Sequence, residues 1–125
     1  MKRSSGVLLA VSSLPSEFGI GGFSSDAENF ITSILDMGFH WWQILPLCPI
    51  GYGDSPYSGI SSYAGSYLYI DPIRLAEEGL IGYDIVDMVK YYGDPHITNY
   101  AHARWAKKTV IEHAFMHLND EWKAK

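Results

Sequence analysis

The sequence predicts an α/β fold built on parallel strands. Three observations predict it. Two apolar runs, "GVLLAV" (Gly6–Val11) and "FHWWQILPL" (Phe39–Leu47), read as strands buried on both faces. A stretch of helical period lies between them, so the unit is strand–loop–helix–strand, expected to be parallel and right-handed. The loops leaving both strands are long, and the second runs from Pro46 to Asp71. Ligands of parallel α/β folds sit on such strand-exit loops.

The elements follow in order. Val7–Val11 is too short an apolar run for a signal peptide, despite the basic start "MKR". After the first strand comes the polar, glycine-rich loop "SSLPSEFGIGGFSS". In "SDAENFITSILDMG", Ala27, Phe30, Ile31, Ile34 and Leu35 share one helical face. Ser25 with Glu28 has capping-box spacing, and Gly38 supplies the stop. Within the second long loop, "SYLYID" (Ser66–Asp71) reads as a short extended piece. "DPIRLAEEGLI" places Asp71 at a cap, Pro72 at the first helical position and Gly79 at the stop. A short helix starts at Asp84. A long one starts at Thr98 or Asn99 and runs almost to Lys125, with a later apolar face of Ile111, Ala114, Phe115, Leu118 and Trp122. Two strands cannot cover both faces and both edges of a parallel sheet, and the last helix has no terminal cap. Either the chain dimerises through its strand edges or it is the N-terminal piece of something larger, and the missing cap favours the second.

Composition narrows the class. The chain has 125 residues, 47% of them hydrophobic, enough for one folded domain. Its net charge is -5, and its basic residues are scattered. That argues against nucleic acid or an anionic membrane as partner, and no run reaches transmembrane length. Cys48 is the only cysteine. No internal disulfide is possible, and a cytoplasmic, reducing location is expected. Cys48 reads as packing rather than as a nucleophile.

Several patterns invite chemistry and fall short of it. "GIGG" (Gly19–Gly22) is neither GxGxxG nor a P-loop and reads as a turn. His113 and His117 have zinc-ligand spacing, but with no third ligand or catalytic Glu they read as a solvated face; no metal is expected. Paired carboxylates would suit glycoside chemistry. Glu77 and Glu78 read as solvated, and Asp71 as a cap. Asp54 alone stands in a promising place.

That place is "IGYGDSPYSG" (Ile50–Gly59). Gly51 and Gly53 open backbone conformations closed to other residues, and Pro56 fixes its own φ and pushes Ser55 toward an extended shape. Such a loop would hold Tyr52 and Tyr57 in set directions, with Asp54 and Ser55 free to bind hydroxyls or backbone amides. Two readings stand level: a ligand-binding loop, or a stiff connector in which Asp54 makes an Asx-turn.

"RSSGVLLAVSSLPSEFGIG", "DAENFI", "GFHWWQILPLCPIGYGDSPYSGISSYAGSYLYID" and "LAEEGLIG" together resemble the 4-alpha-glucanotransferases, or amylomaltases. "GYGDSPY" after a "WQ-x-LPL" strand is the most specific of these segments, and beyond residue 95 the likeness is loose. The resemblance implies a (β/α)8 barrel, with Gly6–Val11 and Trp41–Leu45 as its first two strands. Residues 1–82 would start the barrel and 83–125 would belong to a helical insertion. It implies transfer of an α-1,4-glucan segment to the 4-hydroxyl of glucose or another glucan by retaining double displacement, with no cofactor. The catalytic aspartate, glutamate and third carboxylate would all lie outside these residues. By position, Tyr57 resembles the tyrosine lining the donor-side subsite next to the scissile bond, Ser55 a sugar-contacting neighbour, and Tyr52 an aromatic of a secondary glucan site. Asp54, with Gly51, Gly53 and Pro56, would shape the loop. Ser58, Ile60 and Ser66–Tyr67 depart from "SPYQSFSAFAGNP", which many members carry. Two rivals remain: a non-enzymatic α-glucan-binding module using Tyr52 and Tyr57, and a structural or interaction domain with its aromatics in the core.

Overall fold

The computed structural model describes residues 2–122, with side chains through Leu118. Strands β1 (Gly6–Leu8) and β2 (Trp41–Gln43) pair in parallel, in the register Gly6↔Trp41, Val7↔Trp42, Leu8↔Gln43. Both are shorter than the apolar runs that hold them. The Leu9 amide still donates to Gln43 O at 3.0 Å, but Val11–Ser13 then tightens into a 3-10 turn that buries Val11. Burial on both faces is also corrected. Val7 and Trp42 are half-buried, while their strand neighbours are exposed. The covered face is the one on which Phe30 meets Trp42 edge-on at 5.0 Å. With two strands among the described residues, alternate side chains have nothing to pack against.

Helix α1 spans Ser25–Asp36. Its cap is Ser24 rather than the expected Ser25, since Ser24 Oγ accepts from the Asp26 amide at 3.2 Å. Of the expected apolar face, Ala27 and Ile34 are buried and Phe30 half-buried, but Ile31 and Leu35 are exposed. Gly38 ends the helix at φ 90°. The expected extended piece at Ser66–Asp71 holds a 3-10 turn, Tyr67–Tyr69, capped by Ser66. Helix α2 (Pro72–Glu77) starts as its sequence implies, with Asp71 Oδ1 accepting from the Ile73 amide at 3.1 Å. Helix α3 (Tyr83–Met88) begins one residue before the expected Asp84.

Helix α4 spans Tyr100–Trp122, and Asn99 Oδ1 caps it by accepting from the His102 amide at 3.0 Å. Its buried stripe is Ala103, Ala106, Lys107, Val110 and Ala114. Of the expected later face, Ala114 is buried and the other described members are less covered. Ile111 and Leu118 are half-buried, and Phe115 is 64% exposed. The small Ala103 and Ala106 carry the face that approaches the core closely. The Trp122 side chain and the continuation to Lys125 lie outside the described residues.

Two apolar clusters organise the chain. One packs Phe18, Ala76, Ile81, Val86, Val89 and the α4 residues Ala106, Val110 and Ala114. The other packs Val11, Leu14, Ile20, Ala27, Leu68, Tyr69 and Ala103. The first strand-exit loop is stitched to the segment before α4. The Tyr91 amide donates to Glu17 O and the Asn99 amide to Gly19 O, both at 2.6 Å. The "GIGG" glycines serve this packing. A Cβ on Gly21 would lie 2.2 Å from Val11 O, and one on Gly22 would lie 2.7 Å from Tyr69 O.

Candidate functional site

The second strand-exit loop is closed at two levels. At its base the Ser66 amide donates to Leu47 O at 2.8 Å. Inside, Ile50 and Gly59 form an antiparallel bridge, supported by Gly51 N to Ser58 O at 3.2 Å and Ile60 N to Pro49 O at 2.9 Å. Half-buried Cys48 fills the inner side, with Sγ 4.0 Å from Pro56 O. That is a packing position.

The tip then turns through Gly53 at φ 85° and Asp54 at φ 55°, two successive residues in the left-handed region. In place of the Asx-turn of the connector reading, Asp54 makes a tertiary contact. Its carboxylate accepts from Arg104 Nη2 of α4. The local turn is made by Ser55 instead, whose Oγ accepts from the Tyr57 amide at 3.3 Å. Arg104 also lies over the Tyr100 ring, at 5.6 Å. No local signal in the sequence could have found Arg104, because it sits fifty residues from its partner.

This leaves the tyrosines pointing outward. Tyr52 is 103% and Tyr57 75% exposed relative to the free residue. Tyr57 shares a cavity of about 570 Å³ with Leu47, Cys48, Pro56, Ser61 and Tyr63. Tyr52 and Ser55 are not among its lining residues, so the structure brings together Tyr57 and Tyr63 rather than Tyr57 and Tyr52. Tyr63 was missed in the sequence, although it stands in the same loop. Aromatic faces and hydroxyls of this kind suit a sugar better than an anion.

A second cavity, of about 370 Å³, lies where both strand-exit loops meet α4. Its wall includes Phe18, Ser24, Asp71 and Lys107. Lys107 is 1% exposed, donates to Ile70 O and lies 5.5 Å from the centre of the Phe18 ring. Burial lowers its amine to about 8, against the pull of Asp71. Burial raises the Asp71 carboxyl, opposed by the Ile73 amide and then by Lys107. Among the described residues no group of three or more His, Cys, Asp or Glu could hold a metal ion. His113 Nδ1 faces Thr109 O of its own helix at 2.8 Å.

Fold and site together define a parallel α/β unit with an aromatic, hydroxyl-bearing loop at the carboxyl end of a strand. The chain belongs to the 4-alpha-glucanotransferase family, whose model matches residues 9–125. It is 39% identical over 113 residues to a 4-alpha-glucanotransferase of Streptococcus pneumoniae serotype 4, covering 90% of this chain. It is 41% identical over 114 residues to the Synechocystis enzyme, covering 91%. It spans 22% of the length of each. Among solved structures, amylomaltase from Streptococcus agalactiae in complex with acarbose superposes with a TM-score of 0.89 at 36% identity. That match covers 98% of this chain and 25% of the other. No described helix is long and apolar enough to cross a membrane.

Proposed function

We propose that the chain is the amino-terminal part of a cytoplasmic 4-alpha-glucanotransferase. The whole enzyme moves an α-1,4-glucan segment from a donor to the 4-hydroxyl of glucose or another glucan. The observation that carries this reading is the family match over residues 9–125, in a chain spanning 22% of its relatives. In this reading β1 and β2 are the first two strands of a (β/α)8 barrel. Residues 1–82 open that barrel, and residues 83–125 belong to a helical insertion.

The site residues have graded roles. Tyr57 faces the donor-side sugar, supported by its exposure at the mouth of the cavity. Ser55 contacts sugar while setting the turn. Tyr52 stacks on glucan outside the cleft. Asp54, Gly51, Gly53 and Pro56 hold the loop, supported by the Asp54–Arg104 pair and the positive φ of Gly53. Chemistry follows retaining double displacement, in which an aspartate attacks the anomeric carbon and a glutamate acts as acid and then base. The remainder of the enzyme supplies both, and no cofactor is needed.

Two outcomes test this. The 125-residue chain incubated with maltotriose should release no glucose above blank; turnover would overturn the assignment of the catalytic carboxylates to the remainder. Maltoheptaose titrated into isotopically labelled chain should shift the amide resonances of residues 52–59. Tyr57→Ala should remove those shifts and leave the thermal melt unchanged, because the ring is exposed. Unshifted resonances in the unaltered chain would sink the loop as a glucan face.

A further inference from the structure

We propose that helix α4 positions the Pro46–Asp71 loop through two cationic side chains one turn apart, Arg104 near the tip and Lys107 at the end. This rests on the glucan reading of that loop. Residues three apart on a helix project to neighbouring positions. Here they reach two separate points of the loop, its tip and its end. Arg104 pairs with Asp54, between Tyr52 and Tyr57. Lys107 donates to Ile70 O, where the loop enters α2.

The two contacts differ in kind. The Arg104–Asp54 pair is partly exposed at both ends, so it contributes weakly and acts chiefly on direction. Its acceptor sits at φ 55°, in the left-handed region, where Asp is one of the few non-glycine residues found with any frequency. Lys107 is 1% exposed, so its hydrogen bond to a carbonyl is largely shielded from solvent. It also lies over the Phe18 ring and feels the attraction of the Asp71 carboxylate, so one side chain contacts both strand-exit loops and is drawn toward the cap of α2. The helix can serve as a fixed beam. Ala103 is packed into one apolar cluster, and Ala106, Val110 and Ala114 into the other.

Loop amides report the clamp directly. Gly51, Ser58 and Ile60 donate within the inner loop, and Ile70 donates to Tyr67 O at its end. Hydrogen exchange of the 125-residue chain should quicken about two- to fivefold at residues 51–60 in Arg104→Ala and in Asp54→Asn. The double variant should be no faster than either single one, and Arg104→Lys should restore most of the protection. Lys107→Met keeps the apolar stem and should quicken exchange at residues 66–70 about tenfold or more. Exchange within α1 should not change. Affinity scales with the fraction of loop held in the competent arrangement, so the maltoheptaose dissociation constant should rise by no more than the exchange factor in the Arg104 and Asp54 variants. Additive single effects, unchanged loop exchange, or a dissociation constant rising by more than the exchange factor would each overturn the positioning role. If the unaltered chain binds no maltoheptaose, the glucan reading fails, and the exchange data decide the clamp alone.

Discussion

Lys107 carries its charge where almost no water can reach it. Its amine falls from 10.5 to about 8, chiefly through burial, with Asp71 pulling the other way. The sign of the consequence follows from proton binding. Between pH 8 and 10.5 the unfolded chain holds a proton here that the folded chain has released, so stability should rise with pH across that window. The gain is bounded by about 3 kcal/mol at roughly 1.4 kcal/mol per unit. Tyr69, raised by burial and then by Tyr100 and Cys48, works in the opposite sense above pH 10. Urea midpoints at pH 7.5 and 9.5 therefore read Lys107 most cleanly. The midpoint should rise in the unaltered chain and stay flat in Lys107→Met; a flat response in both would refute the burial argument.

At the scale of elements, caps and turns decide where helices begin, and packing decides which face they bury. Helix α2 has six residues, too few to persist on propensity alone. Asp71 satisfies its Ile73 amide, so Asp71→Ala should cost about 1 kcal/mol, read as a lower urea midpoint. Asp71→Asn, which keeps an acceptor oxygen, should recover most of the loss; equal losses in both would point to the carboxylate's charge, attracted to the Lys107 amine, instead. This cap was legible because Asp-Pro is a local signal. The start of α1 was legible only to within one residue, since Ser24 and Ser25 are equally good caps and the backbone chose the first. The buried stripe of α4 was not legible. Phe115 is the more hydrophobic residue, but the helix approaches the core through Ala103 and Ala106, whose small size matters only once the partner surfaces are known. The loop showed Tyr52, Ser55 and Tyr57 through its own residues. Arg104 stayed hidden because tertiary contact, not spacing, joins it to Asp54.

At the scale of the whole molecule, one group of uncovered apolar side chains lies around the sheet. The paired residues Leu8 and Trp41 are exposed, and Ile31, Leu35 and Met37 line the outer side and end of α1. Two parallel strands leave both outer edges unpaired, a ready template for another chain. Exposed apolar side chains beside an open sheet mark an interaction surface or an association liability. In a chain spanning 22% of its relatives, the proposed remainder of the barrel is its natural cover. Without that cover, the 125-residue chain should self-associate. Sedimentation velocity should show a mass above 14.0 kDa that grows with concentration. Leu35→Ser combined with Met37→Ser should shift the distribution toward the monomer. Both side chains are exposed, so far-ultraviolet circular dichroism should be unchanged. A single 14.0 kDa species at all concentrations, melting cooperatively, would show that the two internal clusters suffice and that the open sheet needs no partner.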